Sequence, residues 1–195
     1  MPKSMLRQTM LHRRTTLSHE EWHSASHLIQ ETLVALDQFR SAASIALYAP
    51  IRREVDTSLL LNRSLAEGKR VYYPAVTDSS MIFRQVLAHK DLHPGAFGIL
   101  EPPLTAADAA PAAIDLILIP GVVFDVQGGR IGYGRGFYDR LLHPLEGSGR
   151  LVALCFDFQL VDEIRGEPHD VRVDRIISNR RVIDPHYHRE KGDVS

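Results

Sequence analysis

Apolar positions in this chain fall into short runs separated by polar, Gly- or Pro-bearing stretches, and the spacing within each run predicts its element. Leu6 to Arg13 reads as a first helix, open to an earlier start, with Arg7, Arg13 and Arg14 on its polar side. Ser18 is a good helix cap, and Glu21 three positions on completes a capping box. Apolar residues at Trp22, Ala25, Leu28, Ile29, Leu33 and Leu36 keep a helical period to a stop near Leu36–Phe39. The run 43–50 (ASIALYAP) predicts a strand ended by Pro50, which has no N–H for a central ladder. Asp56 can cap a third helix over 57–68, closed by Gly68. Strands follow at 69–76 and 81–87, then a Gly/Pro loop at 92–103 and a small-residue surface connection at 105–113. The most apolar run, 114–125 (IDLILIPGVVFD), predicts a central strand buried on both faces. A Gly-rich turn leads into a helix over 136–145, a buried strand at 150–158 and a last short one at 174–183.

Strands alternating with helices, in continuous apolar runs, predict an α/β fold: a mainly parallel sheet flanked by helices on both faces. Residues 1–185 read as a single α/β domain and 186–195 as a flexible polar tail.

Composition narrows the function. An apolar fraction of 44% with 24% charged residues is ordinary for a chain that buries a real core. Lys and Arg number 23 against 24 acids, so no net field recommends nucleic acid or an anionic membrane as partner. Any anion must be held by local arrangement. The lone Cys155 lies in an apolar run and reads as a buried small hydrophobe; it excludes an internal disulfide and a thiolate metal cluster. The N-terminus has no apolar signal core, and no stretch reaches the roughly 18 apolar residues of a membrane span. A reducing, cytoplasmic setting is expected.

The chemistry concentrates at 120–142 (PGVVFDVQGGRIGYGRGFYDRLL). Gly128, Gly129, Gly132, Gly134 and Gly136 sit within nine residues, between a buried strand and a helix. Such glycines permit positive φ and leave backbone N–H groups free to converge on an oxyanion. The following helix aims its N-terminus at the same place, and Arg130 and Arg135 add full charges suited to phosphate. In an open α/β sheet, ligands sit at the carboxyl ends of strands. The turn is neither a Walker A loop nor a G-x-G-x-x-G fingerprint. Asp139, one turn into the helix, is placed to hold Mg²⁺ or to favour the helix dipole.

The string GRIGYGRGFYDRLL resembles the signature of the 5-formyltetrahydrofolate cyclo-ligase family. The resemblance extends to Lys3 and Arg7, 48–57 (YAPIRREVDT), 97–103 (FGILEPP), 115–125, 156–164 (FDFQLVDEI) and 167–178 (EPHDVRVDRIIS), in the family's order over nearly the whole chain. It implies a sugar-isomerase-like (NagB/RpiA-like) sheet architecture and a monomer. ATP is the implied cosubstrate, with Mg²⁺, and a folate the other partner.

Residue by residue, the resemblance implies that Lys3 and Arg7 reach the ATP phosphates from the first helix. Arg130 with Ile131, Gly132, Tyr133, Gly134, Arg135, Gly136, Phe137 and Tyr138 forms the nucleotide loop, with Arg130 and Arg135 as catalytic cations. Asp139 and Asp170 are the implied Mg²⁺ ligands. Glu54 is the implied acidic folate contact; Tyr48 and Phe97 lie where pterin-facing residues are found, and Tyr133 to Phe137 are shared with the substrate. Asp174 reads as a neighbour of Asp170, and Gln159 has no assigned role. His169 suggests no zinc site, because no second His has suitable spacing. Tyr133 and Arg135 occupy positions that vary in the family. Arg52 and Arg53 either meet the folate's glutamate tail or are solvated.

The implied reaction is ATP plus 5-formyltetrahydrofolate giving 5,10-methenyltetrahydrofolate, ADP and phosphate. That chemistry asks for positioning and charge neutralisation more than for a protein nucleophile, and the chain has no G-x-S-x-G elbow. Two rival readings are a family-like ATPase acting on another N-acyl substrate or a drifted paralogue, and a non-enzymatic folate-binding or RNA-binding module, the latter using the basic face Arg7–Arg13–Arg14.

Overall fold

The computed structural model describes residues 2–77, 80–95, 98–167 and 169–185. Helix α1 (Lys3–Thr15) starts earlier than its apolar stripe. Helix α2 (His19–Ala35) carries the capping box: Ser18 Oγ accepts from Glu21 N at 3.1 Å, and Ser18 N donates to Glu21 Oε2 at 2.8 Å. A short α3 (Asp37–Ser41) leads to β1 (Ser44–Ala46), α4 (Ser58–Ala66) and β2 (Arg70–Val76), a parallel β-α-β unit.

Strand β3 (Met81–Val86) returns antiparallel to β2. A small hairpin, β4 (His93–Pro94) and β5 (Leu100–Glu101), follows it, and β6 (Asp108–Ala109) adds to the edge of β3. Strand β7 (Leu116–Ile119) then enters on the other side of β1. After β8 (Val123–Asp125), β9 (Arg130–Ile131) and α5 (Phe137–Leu142), β10 (Leu151–Cys155) pairs parallel with β7. Beyond β11 (Leu160–Val161), β12 (Arg175–Ser178) pairs parallel with β10, and β13 (Val182–Ile183) closes the edge antiparallel. The main sheet has the order β13-β12-β10-β7-β1-β2-β3-β6.

Five of its strands, β12, β10, β7, β1 and β2, run parallel as expected, and β13, β3 and β6 add antiparallel at the two sides, so the sheet as a whole is mixed. Helices do cover both faces. Ile45, Val71, Leu116, Leu118, Val152 and Leu154 pack with Ile29, Leu33, Phe39 and Leu60 of α2, α3 and α4. Their alternates Ala46, Tyr72, Ile117, Ile119, Ala153 and Cys155 pack on the other face with Leu142 of α5 and Phe124 of β8. Burial on both sides is why these strands read as continuous apolar runs. Cys155 lies wholly inside, as its apolar setting predicts.

Three sequence expectations are corrected here. The run 114–125 is two strands: the chain leaves the main sheet at Pro120 and builds a three-stranded sheet, β11-β8-β9. Proline cannot continue a central ladder, and the break sends β8 outward. Asp56 does not cap α4. Buried Gln30 does, its Oε1 accepting from Leu59 N at 3.1 Å and Leu60 N at 3.3 Å. Arg14 is not on a solvated face but 1% exposed, and Leu6, Met10 and Leu11 beside it pack on Val122, Val123 and Ile131. Residues 186–195, expected to be a tail, lie outside the described residues. Among the described residues, no helix is long and apolar enough to cross a membrane.

Candidate active site

The chain leaves β1 toward β2 on one side of the sheet, whereas β7 leads to β10 and β12 on the other. The adjacent carboxyl ends of β1 and β7 therefore diverge, which opens a crevice in a doubly wound sheet. A cleft of about 720 Å³ lies there. Tyr48, Ile51, Arg52 and Glu54 enter it after β1, Pro120 after β7, and residues 130–139 after β8. Lys3 and Arg7 reach it from α1, and Glu167, His169 and Asp170 from the segment before β12. Every sequence-predicted site residue is in its lining except Phe97, which lies outside the described residues.

One end of the cleft is a lattice of opposite charges. Arg130 Nη2 donates to Asp139 Oδ1 at 2.6 Å, and its Nη1 to Pro120 O at 3.3 Å. Val171 N also donates to Asp139 Oδ1, at 3.2 Å, tying α5 to the residue next to Asp170. Lys3 Nζ meets Asp170 Oδ2 at 2.8 Å and Glu167 Oε1 at 3.1 Å. Burial opposes the Lys3 charge, but its bonds to Asp170 and Glu167 outweigh that and raise its pKa. Burial likewise opposes the Asp170 charge, and the Lys3 bond with the Glu167 amide holds its pKa below the usual carboxylate value. Arg7 Nε donates to Gly132 O at 2.8 Å, so α1 grips the loop directly. Arg135 stands exposed at the rim.

The glycines divide their labour. Gly128 and Gly129 form the β8–β9 hairpin turn: Asp125 Oδ1 accepts from Gly129 N at 2.8 Å, and a Cβ on Gly128 would lie 2.5 Å from Val173 O. Only Gly132, Gly134 and Gly136 face the cleft. Gly134 (φ 91°) and Gly136 (φ 64°) need the left-handed region as the loop enters α5. The turn read as one five-glycine anion loop is thus a hairpin followed by a shorter loop.

The donor set fits a hard divalent cation. Asp139 Oδ2 has no hydrogen-bond partner among the described residues, and Asp170 Oδ1 has only His169 Nε2 at 3.9 Å. Each aspartate thus presents one uncommitted oxygen to the cleft. Among the described residues no cluster of three or more His, Cys, Asp or Glu could hold a metal. Two carboxylates completed by water and phosphate oxygens are the arrangement Mg²⁺ favours, and they do not suit Zn²⁺.

Glu54, which also lines the cleft, is 3% exposed. Its Oε2 accepts from Ile51 N at 2.9 Å and its Oε1 from the Tyr133 hydroxyl at 2.8 Å. Burial pushes the carboxyl up to about 7, against the pull of Arg14, the Ile51 amide, Tyr133 and Arg52. Tyr48, also buried, donates its hydroxyl to Val55 O at 3.1 Å. Pro74, Val76 and Met81, which no motif announced, line the cleft with Ile99 of the 97–103 block as its apolar part.

Other polar residues brace this frame. Gln159 Nε2 donates to Val122 O at 2.9 Å and its Oε1 accepts from Phe156 N at 2.9 Å. Asp174 Oδ2 accepts from Leu151 N at the start of β10. The basic face on α1 is no open patch, because Arg14 is buried, Arg7 is bonded to the loop and Arg13 stacks 4.6 Å over Phe158. Arg14 was legible in one respect: it lies three and four positions beyond Leu11 and Met10, on their side of the helix.

Comparison with known proteins finds relatives over nearly the whole chain. The sequence model of the 5-formyltetrahydrofolate cyclo-ligase family matches residues 1–179. A 5-formyltetrahydrofolate cyclo-ligase of Mycolicibacterium smegmatis is 31% identical over 189 residues, 93% of this chain and 95% of its own. The solved structure of Aquifex aeolicus 5,10-methenyltetrahydrofolate synthetase is similar at a TM-score of 0.85 and 33% identity, over 100% of both chains. A 5,10-methenyltetrahydrofolate synthetase from Mycoplasma pneumoniae is similar at a TM-score of 0.75 and 30% identity, over 92% of this chain and 99% of that one.

Proposed function

The chain belongs to the 5-formyltetrahydrofolate cyclo-ligase family, a family of ligases, and on that premise we propose that it converts 5-formyltetrahydrofolate to 5,10-methenyltetrahydrofolate with hydrolysis of ATP to ADP and phosphate. The observation that carries the reading is the convergence of Lys3, Arg7, Arg130, Asp139 and Asp170, from three distant segments, in a cleft that buried Glu54 also lines.

In this reading the triphosphate lies against Gly132, Gly134 and Gly136, with Lys3, Arg7 and Arg135 meeting its charge. Arg130, 5% exposed in its side chain, keeps Asp139 in place rather than reaching outward. Asp139 and Asp170 would hold Mg²⁺, which when bound neutralises charge on the phosphate oxygens. Glu54 accepts ring N–H donors of the folate, and Tyr48 and the apolar wall pack its flat ring. The formyl oxygen attacks the γ-phosphoryl group and ADP leaves. N10 then closes on the activated formyl carbon and gives up its proton, and the carbon–oxygen bond breaks as phosphate departs. The cleft contributes orientation and electrostatic stabilisation, with no protein nucleophile. The five parallel inner strands support a sugar-isomerase-like architecture as part of the same reading.

The test is the absorbance of the methenyl product when the protein is mixed with 5-formyltetrahydrofolate, ATP and Mg²⁺. Product that requires all three supports the reading. ATP hydrolysis with another N-acyl acceptor, and no product from this folate, would contradict it.

A further inference from the structure

Arg14 heads the fully buried side chains by size, and its donors go to three separate segments. Its Nε donates to Arg52 O and its Nη1 to Gly121 O, both at 3.0 Å, and its Nη2 donates to the Tyr133 hydroxyl. None of these acceptors is charged. The charge is answered one bond further on, where the Tyr133 hydroxyl donates to Glu54 Oε1 at 2.8 Å. Two guanidinium groups stand near the Tyr133 ring, with Arg14 Cζ 5.9 Å and Arg52 Cζ 5.8 Å from its centroid.

The backbone around Glu54 is held with equal force. Arg52 and Arg53 sit at φ 47° and 56°, a left-handed conformation that L side chains adopt at a cost. Such strain persists where surrounding bonds over-determine it. Here they do: Arg14 binds Arg52 O, Glu54 N donates to Ile51 O at 2.9 Å, and Trp22 Nε1 donates to Glu54 O at 2.7 Å.

Resting on the folate reading above, we infer that Arg14 is a positioning residue for the substrate carboxylate contact, fixing Glu54 through the Tyr133 hydroxyl and the 51–54 turn. The helix that carries Lys3 and Arg7 to the phosphate end thereby also sets the folate end. Five groups face Glu54: Arg14 from α1, Arg52 on its own turn, Tyr133 after β9, Tyr48 after β1 and Tyr138 of α5. Arg14 is foremost among those that oppose burial and favour the ionised carboxyl. A neighbouring opposite charge moves a carboxyl by about one unit or more, so its loss leaves Glu54 protonated further into the neutral range.

The experiment measures kcat and both KM values against pH for wild type, Arg14→Met, Tyr133→Phe and Glu54→Gln, with thermal melting as the folding control. Wild type is expected to show an acid limb near pH 7 that is missing in Glu54→Gln. Tyr133→Phe removes one hydroxyl and keeps the ring, so it carries the test should Arg14→Met not fold. Folded Arg14→Met and Tyr133→Phe should each raise the folate KM about tenfold, the scale of one charge-linked hydrogen bond, move the acid limb to higher pH and raise the ATP KM by far less. An unmoved limb in Tyr133→Phe, or folate and ATP KM values that rise together, overturns the inference while the proposed reaction stands. A wild type that makes no product overturns that reaction and this inference with it.

Discussion

Lys3 Nζ lies 2.8 Å from Asp170 Oδ2, a contact between residues 167 positions apart that draws the first helix onto the segment before β12. The lysine expected on phosphate and the carboxylate expected on metal neutralise each other in the free protein. The cleft thus holds these opposite charges paired. That relationship sets what substitutions should do.

Lys3→Met and Arg135→Ala should each lower kcat/KM about 10²-fold, the usual cost of losing one preorganised electrostatic partner. Neither should disturb folding. The Lys3 pair is 30% and 22% exposed in its side chains, and a surface pair contributes at most about 1 kcal/mol. Steady-state kinetics beside thermal melting separates the two effects.

Arg130→Met should behave oppositely. The Arg130–Asp139 pair is 5% and 19% exposed, and removing one partner strands the other charge. A loss of about 3 kcal/mol in denaturant unfolding is expected, and a further Asp139→Leu change should recover part of it. Equal stability of Arg130→Met and wild type would show that the pair does not brace the loop.

Stability should depend on pH through Glu54. Its carboxyl rises from an ordinary 4.5 to about 7 on folding, so between those values the folded state holds a proton that the unfolded state has released. Stability therefore falls as pH climbs from about 4.5 to 7, by roughly 3 kcal/mol, and levels off above. Glu54→Gln should lack this component. Melting temperatures of both proteins across that window check the sign.

Much of this fold was written in local pattern. The Ser18–Glu21 box, the continuous apolar runs of β7 and β10 and the Gly68 stop follow from short-range rules, and each has its counterpart in the structure. What escaped were relationships set by tertiary partners. Pro120 ends β7 and redirects the apolar run, yet composition on both sides of it is the same. Gln30 caps a helix nearly thirty residues away, where the local candidate Asp56 does not. The gathering of Lys3, Glu54, the 130–139 segment and Asp170 was legible through family resemblance, whereas Arg14 read as one more surface cation. Its burial follows from Gly121 O, Arg52 O and Tyr133, which arrive from elsewhere in the chain.

Glycines of positive φ should separate by what an added Cβ would meet, Gly128 in the hairpin turn against Gly149 before β10. Gly128→Ala puts a Cβ 2.5 Å from Val173 O at φ 85°, so about 2 kcal/mol or more of stability should be lost. Gly149→Ala shares the positive φ but meets nothing within 4 Å, and should cost about 1 kcal/mol. Urea unfolding of both variants gives the comparison.

Isothermal calorimetry of ATP with and without Mg²⁺, on wild type and on the Asp139→Asn, Asp170→Asn double variant, puts the shared charge site to its most direct test. Wild type should bind ATP at least about tenfold more tightly with Mg²⁺ present, and the double variant should lose that gain while still folded. Binding that ignores Mg²⁺, or a double variant that keeps the full gain, would contradict a triphosphate and metal held between Lys3, Asp139 and Asp170.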